Sequence, residues 1–149
     1  MTISSIVDTP NLKRRPFCDA DTTVFEAAVT IALLEVNALA VLEDGKLVGI
    51  ITDHDVLLCL ADSGSAFYEQ TVDDWMTEKP ITCATGSKLS TALNLMAKHD
   101  IRNLVVTQRG EPYSVVSSKE ILARIHEEDE LELKVLRDRE RNKPGRFVV

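Results

Sequence analysis

Cysteine is scarce in this chain of 149 residues, which holds only Cys18, Cys59 and Cys83. Their odd number and wide spacing exclude a disulfide framework and a zinc knuckle. Basic residues are in deficit too, 17 against 24 acidic ones, for a net charge of −7. A body this acidic has no general attraction for nucleic acid or an anionic membrane, so any anionic ligand must be held by local groups. No stretch approaches the ~20 apolar residues of a membrane span. Met1-Thr2-Ile3-Ser4-Ser5-Ile6-Val7-Asp8 lacks the basic and apolar regions of a signal peptide. The expectation is a cytoplasmic protein without nucleic-acid or membrane partners.

What is present has the balance of a soluble globular protein, 44% hydrophobic and 28% charged. A chain of this length buries roughly 70% of the surface its unfolded form exposes, so stability requires neither disulfides nor metal. It is either one ordinary domain or two half-size units sharing a core. An internal echo favours the second. Adding 65 to positions 16–57 gives 81–122 without a gap. Cys18 falls on Cys83, Ala27 on Ala92, Ala32 on Ala97, Leu39 on Leu104, Val41 on Val106, Gly45 on Gly110 and Leu57 on Leu122. These identities are few, but the order of apolar and polar classes also matches. So long a period indicates a duplicated subdomain rather than a small solenoid repeat.

Each copy predicts the same elements. A short extended segment, Phe17-Cys18 or Ile81-Thr82-Cys83, comes first. Thr23-Val24-Phe25-Glu26 has the form of a capping box, and Val24, Ala27, Ala28, Ile31 and Leu34 form the apolar stripe of the helix that follows. In the second copy Leu89, Ala92, Leu93 and Met96 take that stripe after Gly86-Ser87. Two strands follow, Leu39–Leu42 with Leu47–Ile51 and Leu104–Val106 with Tyr113–Val116, joined by glycine-containing hairpin turns. A second helix starts near Asp53 or Ser118. One such unit can hardly cover both faces of its small sheet, whereas two packed together can. Ala61 to Gln70 predicts a surface loop, and Thr71–Met76 a short capped helix with Trp75 and Met76 in the core. Beyond His126 the chain is strongly charged. It predicts either a solvated helix end or a helix packed on a partner, ended by Lys143-Pro144-Gly145-Arg146.

Chemistry concentrates where the return strand enters the second helix. Gly49-Ile50-Ile51-Thr52-Asp53-His54-Asp55 and Ser114-Val115-Val116-Ser117-Ser118-Lys119-Glu120 each place a hydroxyl three residues before a carboxylate. At such a turn the pair can hold a sugar's diol, or simply cap the helix. No metal set is expected, because Asp53, His54 and Asp55 point in different directions on a helix turn. Cys18 and Cys83 read as small buried residues rather than redox groups. Lys13-Arg14-Arg15 is a short basic patch, solvated or near the first cleft. Neither a nucleophile–base arrangement nor a phosphate-cradling glycine loop is present, so no catalysis is expected.

Leu47–Asp55, Thr71–Thr77 and Ile101–Val106 together resemble a tandem pair of CBS domains, the regulatory unit called a Bateman module. The resemblance covers roughly residues 8–126. It implies an α+β fold of two β-α-β-β-α units related by a pseudo-two-fold axis. The implied units are 8–63 and 71–126, with an arm at 1–7, a linker at 64–70 and a charged helix or tail at 127–149. It implies an adenosine-containing regulatory ligand, AMP, ADP, ATP, NAD or S-adenosylmethionine, bound between the copies, with no cofactor required. Thr52 with Asp55 and Ser117 with Glu120 would hold ribose; His54, Lys119 and Arg102 would face phosphate. The base would lie against Phe17, Cys18, Ile81, Thr82 and Cys83, with Asn37, Ala38 and Asn103 before the first strands completing the clefts. Signalling would run through conformation or oligomerisation, a homodimer of modules being the expected assembly and a separate protein the target. The alternative is a structural dimerisation module with empty clefts. The copies differ: the second has Ser114 for Gly49 and Glu120 for Asp55, which weakens its ribose grip.

Overall fold

The computed structural model describes residues 1–8 and 15–142. Its first half contains α1 (Ser4–Val7), β1 (Phe17–Asp19), α2 (Val24–Leu34), β2 (Ala38–Glu43), β3 (Lys46–Thr52) and α3 (Asp53–Ser63). A 3-10 helix (Gly64–Glu69) and α4 (Val72–Trp75) lead into β4 (Thr77–Glu78), β5 (Thr82–Ala84), α5 (Leu89–His99), β6 (Asn103–Gln108), β7 (Glu111–Ser117) and α6 (Ser118–Arg141). From β1 to the start of α3, every boundary recurs 65 positions later. Backbone irregularities recur as well. Glu35 and Asp100 end the two first helices in the left-handed region, at φ 55° and 51°. Asp44-Gly45 and Arg109-Gly110 both have positive φ, the signature of the type I′ turn that suits strand twist.

The strands form two sheets, ordered β1-β2-β3-β4 and β5-β6-β7, with the opening pair parallel in each. Three apolar clusters organise the molecule. One lies between β1–β3 and the helices α2 and α3, built on Val24, Ala27, Ile31, Leu39, Val41 and Ile51. Its counterpart holds Leu89, Ala92, Met96, Leu104, Val106 and Val116. A smaller cluster of Ala38, Ala40, Ile50 and Val105, flanked by Phe17 and Val115, joins the sheets. Each unit thus covers one sheet face with its own helices and the other with its twin. The α+β architecture of two repeated units is the expected one.

The short leading helices are exchanged between units. Thr71, ahead of α4, bridges Thr23, and Val72 N–H donates to Thr22 O at 2.8 Å, so α4 closes the first core with Val72 fully buried. Thr2, ahead of α1, bridges Lys88, and Ile3 N–H donates to Ser87 O at 2.9 Å. Ile3 and Ile6 lie in the second core, 0% and 7% exposed. The segment read from sequence as an N-terminal arm is therefore a structural part of the distant unit. Asp8 accepts a hydrogen bond from the Tyr113 hydroxyl at the same junction, which pushes the phenol's pKa up.

One local expectation is corrected. Residues 61–69 are helical rather than a surface loop, because α3 continues to Ser63 and the 3-10 turn buries Phe67 in the first core. In the second copy Lys88 stands at the helix N-cap without a side-chain cap, and Ser87 instead accepts from Ala84 N–H at 3.2 Å. The charged segment after His126 continues α6 to Arg141, with Leu131, Leu133 and Leu136 exposed. The predicted helix stop at Lys143–Arg146 lies outside the described residues, as do Lys13 and Arg14.

Candidate ligand-binding cleft

Strand β3 delivers Thr52 to the first turn of α3, and the local bonding is reciprocal. The Thr52 hydroxyl accepts from Asp55 N–H at 3.2 Å and donates to Asp55 Oδ2 at 3.0 Å, while Thr52 N–H donates to the same oxygen at 2.8 Å. The capping role is therefore real, and it spends only one carboxylate oxygen. The second copy repeats it: Ser117 N–H and hydroxyl both donate to Glu120 Oε1, at 3.1 and 3.0 Å. The longer Glu120 side chain closes the same box as Asp55. Among the described residues Ser117 is also the one polar residue buried with the core, 7% exposed.

The turn differs in its charge. Asp53 opens α3, where it accepts from Asn37 Nδ2 at 3.2 Å and from His54 N–H at 2.8 Å. Asp53 N–H donates to Asn37 O at 2.9 Å. The leading amides of α3 are thus satisfied within the chain, and a negative charge sits on them. They do not offer free N–H groups to an anion. At the second turn Ser118 replaces Asp53. Its N–H donates to Arg102 O at 2.9 Å.

A cleft of about 550 Å³ opens beside the first turn, lined by both units. Thr52, His54 and Asp55 come from one side, with Ile81, Arg102 and Asn103 from the other. These six expected residues are brought together. Lys79, Pro80, His99 and Asp100 also line the cleft and escape the sequence reading. Lys79 has a φ of 51°, and Pro80 fixes the chain just before β5. The cationic groups Lys79 and Arg102 line it together with the carboxylates of Asp53, Asp55 and Asp100. The cleft thus offers acceptors suited to hydroxyl donors and cations suited to an anion.

Other expected residues lie elsewhere. Cys83 is in the second core and Cys18 packs against the first, so neither lines this cleft. Burial pushes the Cys18 thiol up to about 12, with Asp19 adding to it, and the Cys83 thiol to about 11. Thr82 is exposed on β5, outside the cleft wall. Phe17 and Ala38 join the cluster between the sheets, and Asn37 holds Asp53. Ser117, Lys119 and Glu120 gather at the repeat-related position, where two counterparts of the lining, residues 12 and 14, lie outside the described residues. Among the described residues no cluster of metal-ligating side chains occurs, and no helix is long and apolar enough to cross a membrane.

A CBS-domain profile matches residues 4–62 and 72–127. The chain belongs to the CBS-domain family. It is similar to an uncharacterised protein, YlbB, of Bacillus subtilis, 36% identical over 106 residues that span 68% of this chain and 69% of that one. Several other curated relatives are longer, and the chain spans 15–58% of their length. Among solved structures, the CBS domain pair of protein MJ0100, in complex with 5′-methylthioadenosine and S-adenosyl-L-methionine, has a TM-score of 0.74 at 23% identity. That match covers 86% of this chain and 98% of the other. CBSX2, solved in complex with AMP, has a TM-score of 0.68 at 23% identity, with the same coverage. The tandem CBS pair is thus the fold of this chain.

Proposed function

We propose that this CBS pair is a non-catalytic regulatory module that binds an adenosine-containing ligand in the cleft between its units. The observation that carries this reading is the composition of that cleft, which sets Thr52 and Asp55 of one unit opposite Arg102 and Ile81 of the other. Asp55 keeps one carboxylate oxygen outside the capping box, and a ribose hydroxyl donating to it would contribute roughly 1.5–3 kcal/mol. Arg102, with Lys79 and His54, would face the phosphate. Ile81 and Pro80 would pack on the base. The AMP and S-adenosylmethionine complexes of structural relatives support the ligand class. The copy with Ser117 and Glu120 is proposed as a second, weaker ribose clamp. The ligand must bind two states of the module unequally to regulate anything, and self-association is the state change proposed here.

One observation favours the rival reading of a structural dimerisation module. Both hydroxyl–carboxylate pairs already close their capping boxes without a ligand. Calorimetric titration with AMP, ATP, NAD and S-adenosylmethionine separates the two. At least one should give saturable heat, and Asp55→Ala should remove it while leaving a folded protein. No heat from any of the four would leave only the structural role, and normal binding by Asp55→Ala would place the site elsewhere.

A further inference from the structure

The cleft between the units carries more acid than a nucleotide needs. Among the described residues its lining holds three carboxylates, Asp53, Asp55 and Asp100, against two cations, Lys79 and Arg102. One carboxylate suffices to hold ribose, and Asp55 supplies it, so Asp53 and Asp100 are left over. Helix α5 adds to their effect. His99 is its last residue and Asp100 its cap, and both line the cleft, which brings the negative end of that helix dipole to the same wall. The positive end of α3 offers little in return. The N–H groups of Asp53, His54 and Asp55 all donate within the chain, to Asn37 O, Asp53 Oδ1 and the Thr52 hydroxyl.

The duplication supplies an internal control. Ser118 stands at the position of Asp53, and its N–H donates to Arg102 O just as Asp53 N–H donates to Asn37 O, both at 2.9 Å. Both turns close the same capping box. The fold therefore needs no carboxylate at position 53. Lys119 likewise stands where the first copy has His54, so the two related turns differ in charge while sharing their bonding.

A polyphosphate arm fits this lining poorly. A terminal phosphate alone carries roughly −1.5 to −2 charges at pH 7, and setting like charges together in a cleft is unfavourable. An arm that bears both signs leaves no charged group of the lining without a counterpart. Its cations meet Asp53 and Asp100, and its carboxylate meets Lys79 and Arg102. We propose that the cleft selects an adenosine derivative whose 5′ arm is a cationic amino acid of the sulfonium type, in preference to nucleoside phosphates. The inference rests on the cleft being the ligand site and narrows what that site takes, with Thr52 and Asp55 still holding ribose.

Isothermal titration of the full chain tests it, with S-adenosylmethionine, 5′-methylthioadenosine, AMP, and ATP with and without magnesium as probes. S-adenosylmethionine should bind about 10-fold tighter than each of the others, including methylthioadenosine, whose arm is uncharged, since one charge-assisted hydrogen bond is equivalent to roughly 10-fold or more in affinity. Asp53→Ser combined with Asp100→Asn should weaken S-adenosylmethionine by about 10–100-fold on the same scale, leave methylthioadenosine unchanged and tighten ATP. Asparagine tolerates the left-handed backbone of Asp100, and Asp53→Ser alone, which installs what the second copy already carries, should give part of the same shift. Asp129→Asn with Glu132→Gln, exposed on α6 and outside the cleft, removes as much charge and should alter no affinity. Any other probe binding as tightly as S-adenosylmethionine overturns the proposal, as does a preference that survives the double change. The two readings fail differently. ATP heat that vanishes in Asp55→Ala keeps the cleft as the site and removes the charge selection alone, whereas no heat from any probe removes both.

Discussion

Truncating Ile3 should destabilise a unit that begins more than half the chain away. Ile3 is 0% exposed among Cys83, Leu89, Leu104, Val116 and Ile121. Ile3→Ala removes three carbons, about 2.4 kcal/mol of transfer free energy at ~0.8 kcal/mol each. The cavity left behind adds to this, and buried Ile→Ala changes cost roughly 2–5 kcal/mol in all. Against a domain stability of about 5–15 kcal/mol, a loss near 3 kcal/mol is large. At ~2–4 °C per kcal/mol for a chain of this size, the midpoint should fall by about 6–12 °C. Urea unfolding followed by both circular dichroism and Trp75 fluorescence is the assay. Trp75 is the chain's one tryptophan and packs on the first core. Cooperative units should show both signals shifting together. A loss below ~0.5 kcal/mol, the scale of a surface substitution, would refute the docking of α1 on the second core. A shift in circular dichroism without one in Trp75 would refute the coupling.

Three further outcomes are expected. Gly49→Ala should cost about 1–3 kcal/mol, because a Cβ there would lie 2.4 Å from Met76 Sδ and 2.9 Å from Thr77 O; adding Met76→Ala should recover only part, since the carbonyl stays. Alkylation of Cys18 and Cys83 in the folded protein should be slow at pH 8 and accelerate only toward pH 11–12, given thiols at about 12 and about 11; fast labelling of either at pH 8 would contradict their burial. The same thiols ionise from 9.0 upward once unfolded, so the native state holds more protons above that pH. Stability should therefore be unaffected by these groups below pH 9 and decline from there toward pH 12, as denaturation midpoints across that range would reveal.

The duplication was readable because apolar spacing encodes helix and strand faces, and the offset of 65 keeps those faces aligned from β1 to α3. Thr52 and Asp55 were readable as a pair for the same reason, since their spacing sets a local bond. The exchanged helix was not. Thr2-Ile3-Ser4-Ser5-Ile6-Val7 plays the part of Thr71-Val72-Asp73-Asp74-Trp75-Met76 at an offset of 69, with four extra residues before β1 breaking the register. Only threonine is shared, so the likeness lies in the apolar positions. Lys79, His99 and Asp100 carry no motif at all, and packing of one unit on the other brings them to Asp55. Phe67 shows the opposite failure, where a Ser- and Gly-rich neighbourhood signals a loop and one buried ring overrides it.

The exchange of leading helices also imposes an order on folding. The first unit is closed by α4, which follows it directly in sequence. All its parts, β4 included, are available once residue 78 has been made. The second unit needs Ile3 and Ile6, synthesised long before their binding site exists. Asp8 and Tyr113, partners at that junction, stand 105 residues apart. At a translation rate of ~5–20 residues per second, the leading segment waits about 5–20 s with its isoleucines in water. Its docking closes one of the longest loops in the molecule and is a natural last step. The early half can therefore form while the late half is still being made, and the chain's first residues are the ones that complete it.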